Sequence, residues 1–346
     1  MRKKRPTLRD IAQRVGVSET AASFALNGKP GVSEDVRRRV LEVVEELDWR
    51  PSYAARLLSG AASQSVGFVL PADATSVDSE LFFMRLMMGM QSELSRSQYG
   101  LLVQVADTVD EEIVIYERWH SDRRVDGVVM VNLRENDPRP DAIGELGVPA
   151  VLAGGPDPAY RIPSVSIDDK AAMRVLLDHV QDLGHRRVAY VCGDRDLLHV
   201  QQRLTAFEAV RQGLFDSGQV VSTSYTSSAA AEVTNRILSE NPAPTAIICD
   251  NEVLAVAVSV TAGALGLEVG KDLTVLSCED SPVCEAMRPP ISALHRDTHG
   301  FGADVAAHLL SLIAGSSPRS AQEQLPELVI RDTTSSTTPG LEGTPL

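Results

Sequence analysis

Residues 8–28 read LRDIAQRVGVSETAASFALNG. Thr7 and Asp10 are spaced as a helix N-cap, and Leu8, Ile11, Ala12 and Val15 follow at helical intervals. Gly16 permits a sharp turn, and Ser18 caps the next helix. Ala22, Ala25 and Leu26 give that helix an inward stripe, and Asn27-Gly28 ends it. A third helix starts at Ser33 and carries Val36, Val40, Val43, Val44 and Leu47 on one face. Three short helices around one small core predict a helix-turn-helix head, a device that lays its second helix in the major groove of DNA. That second helix is unusual, because it lacks Arg, Lys, Gln and Tyr, the common readers of base edges.

Charge supports a DNA-contacting head. The chain has 33 Lys+Arg against 47 Asp+Glu, a net of −14 that taken whole argues against nucleic acid. It is unevenly spread: residues 1–62 carry +4 and the remainder −18. A basic head on an acidic body is expected where one small part meets phosphates and the rest stays clear of them. Length and 43% hydrophobic content predict two or three domains with sizeable cores. No apolar run is long enough to span a membrane, and no apolar stretch follows the basic residues 2–5 as in a signal peptide, so a cytoplasmic protein is expected. Cys192, Cys249, Cys278 and Cys284 form neither CxxC nor a metal-ligand pattern, and read as buried thiols.

From Ser65 the pattern changes. VGFVL, LLVQV, GVVMV and PAVLA read as strands, with helices near 80–97, 110–122 and 140–146. VSI, RVAYVC, AIIC and LTVLSC form a second series, with helices near 169–183, 199–216, 227–239 and 251–266. Such alternation predicts parallel sheets with right-handed crossovers, and two series predict two lobes. Ligands in such sheets sit at the carboxyl ends of strands, here between the lobes. There is no P-loop, GxGxxG after a strand, HExxH or GxSxG. His185 reads as a turn or capping residue, and the adjacent Asp168 and Asp169 point apart. The expectation is no catalytic residue, no metal and no cofactor.

TLRDIAQRVGVS, followed by ALNGKPGVSEDVRRRVLEVVEELDWRPSYAARLLSG, resembles the head and hinge of the lactose-repressor (LacI/GalR) family of bacterial transcription regulators. The match is dense and collinear: helix-turn-helix, LNG, VSE, aromatic-x-Pro, Ala-Arg-x-Leu. It continues through LFFMRLMMG, VDGVV, SIDD, LGHRRVAYV, Arg203 with Phe207, Asn251-Glu252 in place of Asn-Asp, CEDSP and RPPISALH. The resemblance implies an all-α helix-turn-helix head over 1–50, a hinge helix over 51–63 and an α/β body over 64–332. The body is expected to be a two-lobed periplasmic-binding-protein-like fold with parallel sheets. Lobe 1 is placed at about 64–160 and 292–322, and lobe 2 at about 161–291 and 323–332. Residues 333–346 lack hydrophobic content and read as a disordered tail.

The resemblance also implies site residues. In the head, Glu19, Thr20 and Phe24 stand where relatives read bases, the last at a position usually held by Arg. Glu19 can accept from cytosine N4, Thr20 can use its hydroxyl or methyl, and Phe24 either touches a thymine methyl or turns into the head's core. Ser23 and Asn27 are implied backbone-positioning contacts, and Thr7 and Ser18 are further implied DNA contacts. In the hinge, Ser52, Arg56 and Leu58 are implied DNA contacts, Leu58 as a wedge in the minor groove of a segment that folds only on DNA.

In the body, Phe82, Arg203, Asn251, Glu252 and Glu279 are the implied effector residues. Arg203 and Glu279 are read either as ligand clamps or as partners of an ion pair, and Phe82 either as a sugar-facing ring or as core. Gly154-Gly155 stands where relatives often place an acidic contact. The expected function is a homodimeric transcriptional regulator, acting as a repressor on a pseudo-palindromic operator in double-stranded DNA and controlled by a small polar effector, most simply a sugar. The other readings are a solute-binding receptor and a sugar-processing enzyme with an accessory DNA-binding head.

Overall fold

A computed structural model of the chain describes residues 6–47, 49, 62–72, 80–159, 161–317 and 319–334. It divides into two units, Met1–Ser63 and Gln64–Leu346.

In the first unit, α1 (Leu8–Val15) opens on a capping box. The Asp10 N–H donates to Thr7 Oγ1 at 3.3 Å, and the Thr7 N–H donates to the Asp10 carboxylate at 2.7 Å. The helix ends at Gly16, whose φ of 79° disfavours any residue with a side chain. Ser18 caps α2 (Glu19–Leu26) through the Ala21 N–H at 3.1 Å, and Ser33 caps α3 (Glu34–Glu46) through Val36 at 3.3 Å. Each such cap contributes about 1 kcal/mol, a sizeable share in so small a unit. The core is Ile11, Ala12, Val15, Ala22, Ala25 and Val40, with Leu8, Leu26, Val36, Val43, Val44, Leu47 and Trp49 against it. The helices and inward stripes expected from the sequence are present. Ser52, Arg56 and Leu58 lie outside the described residues.

The second unit holds two six-stranded sheets. The first contains β1 (Ser65–Pro71), β2 (Gly100–Ala106), β3 (Gly127–Val131), β4 (Ala150–Ala153), β5 (Ser164–Ser166) and β11 (Ala321–Gln322), in the order β11-β5-β4-β3-β1-β2 and parallel throughout. The second contains β6 (Arg187–Cys192), β7 (Ser217–Ser222), β8 (Ala246–Cys249), β9 (Thr274–Ser277), β10 (Ser292–His295) and β12 (Glu327–Val329), in the order β12-β10-β9-β8-β6-β7. Only β12 runs antiparallel.

Helices α4 (Glu80–Arg96), α5 (Val109–Ser121), α6 (Arg139–Leu146) and α12 (Thr298–Ile313) flank the first sheet. The second is flanked by α7 (Asp169–Asp182), α8 (Leu198–Leu214), α9 (Ser227–Leu238), α10 (Glu252–Ala264) and α11 (Pro282–Ala286). Strands buried on both faces read as the continuous aliphatic runs seen in the sequence.

Three expectations are corrected. VSI is β5, which pairs with β4 in the first sheet and not with the second lobe. Conversely, β10 belongs to the second sheet beside β9, so 292–295 leaves lobe 1. The first crossing therefore comes after β5, the second after β10, and a third separates β11 from β12. A strand of three or four residues, such as SVS or SALH, carries no mark of its sheet, because neighbours supply its hydrogen bonds. Last, Thr333 is buried: its Oγ1 donates to the Val275 carbonyl at 2.7 Å and accepts from the Ser292 N–H at 2.9 Å. The packed chain thus runs past 332, and residues 335–346 lie outside the described residues. The strand β7, polar and half-buried at a sheet edge, was not expected. All four cysteines are free and buried.

Candidate functional site

In the head, Glu19 and Thr20 are exposed on the first turn of α2, and Ser18 is spent on its cap. Arg9 Nε approaches the Glu19 carboxylate at 4.0 Å. Phe24 does not join the head's core. It is half-buried against Gly31, with Lys29 Nζ 6.0 Å from its ring centre. Asn27 Nδ2 donates to the Ser23 carbonyl at 2.9 Å, closing the helix end, and the Thr7 hydroxyl bonds Asp10. A first turn bearing Glu and Thr, with an aromatic one turn later, offers hydrogen bonds and apolar contact but no guanidinium.

In the body, the carboxyl ends of both sets of strands meet around a cavity of about 140 Å³. Every effector residue implied by the sequence lines it: Phe82, Arg203, Asn251, Glu252 and Glu279. Topology explains the convergence. Phe82 lies on α4, which follows β1. Asn251 and Glu252 open α10 after β8, Glu279 follows β9, and Arg203 stands on the second turn of α8.

Arg203 is only 7% exposed. Its Nε donates to Asp169 Oδ1 at 2.9 Å, and its Nη1 to Asp250 Oδ1 at 2.7 Å and to the Asp250 carbonyl at 3.1 Å. Arg203 is ion-paired, but neither at the surface nor between lobes: both carboxylates are buried and belong to the second lobe. Asp250 also accepts from the hydroxyls of Tyr190, at 2.6 Å, and Tyr225. Burial alone would raise the Asp250 carboxyl, but Arg203, His199 and the two tyrosine hydroxyls outweigh it and hold it down at about 2. The site requires Gly193: a Cβ there would stand 1.8 Å from the Tyr225 ring.

A second ion pair joins Arg296, just after β10, to Glu279 at 3.0 Å. The Arg296 guanidinium lies 4.8 Å from the centre of the Phe82 ring and 5.6 Å from that of Phe301, so one face of Phe82 is already covered. Glu252 is buried. Desolvation, and then the Glu279 carboxylate, push it up to about 7 against its own backbone N–H, Arg85 and Arg296. Asn251 caps α10, accepting from the Leu254 N–H at 3.0 Å. His199 lines the cavity too, and burial, then Arg203, lower its imidazole below the usual range, so it is neutral at pH 7.

The wall from the first sheet is mostly apolar, with Val131, Leu152, Ala153, Gly154, Gly155 and Ile167, and Asn132 is its polar side chain. At the rim, strand-like contacts tie the lobes together. Leu198 N–H donates to the Leu133 carbonyl at 2.9 Å, Glu135 N–H to the Asp196 carbonyl at 3.0 Å, and Arg134 pairs with Asp194 at 2.7 Å. The helix α8 has no side-chain N-cap, and the carbonyl of Leu133 takes that place from the facing lobe.

Asp169, Asp250, Tyr225, His199 and Arg296 were not singled out from the sequence. Asp168 and Asp169 do point apart, Asp168 capping α7 through Ala171 and Asp169 turning to Arg203, which brings one of them into the site. Asp250 was legible beside Asn251, but its partners come from β6 and from the turn after β7, far away in sequence. His185 is buried just before β6 and bonds Thr245 at 3.0 Å, outside the cavity. Among the described residues no group of acidic, His and Cys side chains is placed to hold a metal, and no helix is long and apolar enough to cross a membrane.

Comparison with known proteins fits these two sites. Residues 7–52 match the family model described as bacterial regulatory proteins, lacI family, and residues 177–334 match that of a periplasmic binding protein-like domain. The chain is 30% identical to the HTH-type transcriptional regulator reg1 of Streptomyces lividans, over 98% of this chain and 99% of that one. The crystal structure of a LacI family transcriptional regulator from Bifidobacterium animalis subsp. lactis is 32% identical, with a TM-score of 0.74 over 80% of this chain and 100% of the other. The fold is also that of the transcriptional regulator CelR in complex with cellobiose, 24% identical, with a TM-score of 0.71 over 95% of this chain and 100% of that one. These relatives are regulators, not enzymes. The chain belongs to the LacI family of DNA-binding bacterial transcriptional regulators.

Proposed function

We propose that this regulator is a cytoplasmic homodimeric repressor on a pseudo-palindromic operator, and that a sugar or sugar derivative in the cleft controls its DNA affinity. One observation carries the effector reading: carboxylates, guanidinium groups and an aromatic ring converge at the strand ends on a cavity of about 140 Å³. Paired carboxylates and guanidinium N–H groups suit adjacent hydroxyls, and an apolar wall suits the carbon face of a sugar ring. The space equals on the order of ten waters, which a small saccharide would displace. The cellobiose bound by CelR supports the same class of ligand. A thermal-shift screen of mono- and disaccharides tests it, since a ligand bound only by the native state raises Tm.

On the DNA side, two-fold pairing of heads matches two half-sites, and a single small head offers little interface of its own. Glu19, Thr20 and Phe24 read bases, while Thr7, Ser18, Ser23 and Asn27 position the backbone. The partial exposure of Phe24 outside the head's core supports contact with a thymine methyl. Ser52 and Arg56 meet the DNA backbone, and Leu58 wedges the central step. The check is Leu58→Ala, which should weaken operator binding by more than binding to random DNA. Equal losses would reduce residues 51–63 to a linker.

A further inference from the structure

On the reading that the cleft is the effector site, the charges on its walls narrow what it can hold. Two guanidinium groups face the cavity, and each is already matched. Arg203 is spent on Asp169 and Asp250, and Arg296 on Glu279. Glu252 is the fourth carboxylate. It is 7% exposed, and among the described residues no basic side chain comes within salt-bridge distance of it. The nearest cations are Arg85, beside the cavity, and Arg296. Three carboxylates already outnumber the two guanidinium groups, and Glu252, half-ionised near pH 7 and fully so above it, adds to the excess, so the walls are net negative.

A phosphate or carboxylate entering here loses its hydration, meets a like charge, and finds no unmatched cation on the walls. Hydroxyls suit what remains. The Arg203 Nη2 group has no protein acceptor among the described residues, and Asp169 Oδ2 and Glu279 Oε2 accept from no protein donor there. His199 offers a neutral ring nitrogen as well. We propose that the cleft selects an uncharged, hydroxyl-rich ligand and excludes its phosphorylated and carboxylated relatives, with Glu252 the residue that rejects the anion.

Pairs that keep the pyranose ring test this on the full-length protein by thermal shift and titration calorimetry: glucose with glucose 6-phosphate, glucose with glucuronate, galactose with galacturonate, and cellobiose with cellobiouronate. At least one neutral sugar should raise Tm, and its anionic partner should bind about 100-fold more weakly. At pH 8, where the Glu252 carboxyl is ionised, Glu252→Gln, close in shape, should narrow that gap about tenfold, and Glu279→Gln provides a second variant should the first fold poorly. An anionic sugar that binds as tightly as its neutral partner overturns the inference while leaving the cleft as the effector site. So does a gap unchanged in both folded variants. Silence from every probe instead overturns the sugar reading, and the inference with it.

Discussion

The two lobes share one architecture and face each other across one cavity, yet their walls are chemical opposites. The first sheet presents aliphatic strand ends and the pair Gly154-Gly155. The second presents Arg203, Asp250, Asn251, Glu252 and Glu279, and a buried network that reaches Tyr190 and Tyr225 holds Arg203 and Asp250. Duplicated topology therefore fixes where the cavity lies, and the loops after the strands decide which groups line each side. One wall is a preorganised polar surface whose geometry depends on its own ion pairs. The other is a smooth surface that asks little of its residues. The difference predicts that substitutions in the ion-paired network of the second wall damage the fold as well as the site, and that those on the first wall do not.

The largest effect should come from Arg203→Ala. It leaves Asp169 and Asp250 buried without their shared cation, a loss of about 3–5 kcal/mol. Urea denaturation followed by circular dichroism measures it. A loss below about 1 kcal/mol would mean that the network is looser than its distances, and the contrast between walls would fail. Gly193→Ala should come next. The added methyl would meet the Tyr225 ring at 1.8 Å and displace its hydroxyl from Asp250, costing about 1–3 kcal/mol.

Glu252→Gln should act in the opposite direction and with pH. The carboxyl titrates at about 7 in the fold against 4.5 ordinarily. Between those values the folded protein holds a proton that the unfolded chain has released, so stability falls as pH rises from about 4.5 to 7 and stays lower above. Removing the carboxyl should therefore stabilise the protein above pH 7, by about 1–2 kcal/mol, and have little effect near pH 4. Thermal melts of both proteins across pH 4–9 check the sign; a variant less stable at pH 8 contradicts it. The smallest effects belong to the rim and the first wall. Arg134→Ala removes a half-exposed ion pair worth less than about 1 kcal/mol. Gly155→Ala meets only the flexible end of Gln202, at 3.2 Å, and should stay within about 0.5 kcal/mol.

Much of this was legible in the residues. The head's three helices, their serine and threonine caps and their inward stripes follow from local spacing, because helix ends are decided within four residues. The five cavity-lining residues, proposed to hold the effector, could be picked out one by one, since each stands in a recognisable motif after a strand. What was not legible is pairing. Whether β5 and β10 belong to one sheet or the other depends on partners elsewhere in the chain, and strands as short as SVS and SALH fit either sheet. The partners of Arg203 come from the start of α7 and the end of β8, more than 30 residues away on either side. Phe24 shows the same limit: a residue one turn into a helix can face outward or inward, and its half-burial against Gly31 depends on the turn that follows α2.

The central claim is that the cavity of the body governs the DNA affinity of the head. The direct test is fluorescence anisotropy of the full-length protein on a two-fold duplex recovered by selection from random DNA. It is titrated with and without a saturating concentration of the neutral sugar that raises Tm. Coupling free energies between such sites commonly lie at about 1–3 kcal/mol, so Kd for the duplex should shift by about 5- to 150-fold. Superimposable isotherms, with calorimetry showing the sugar bound at one site per chain, would contradict the account.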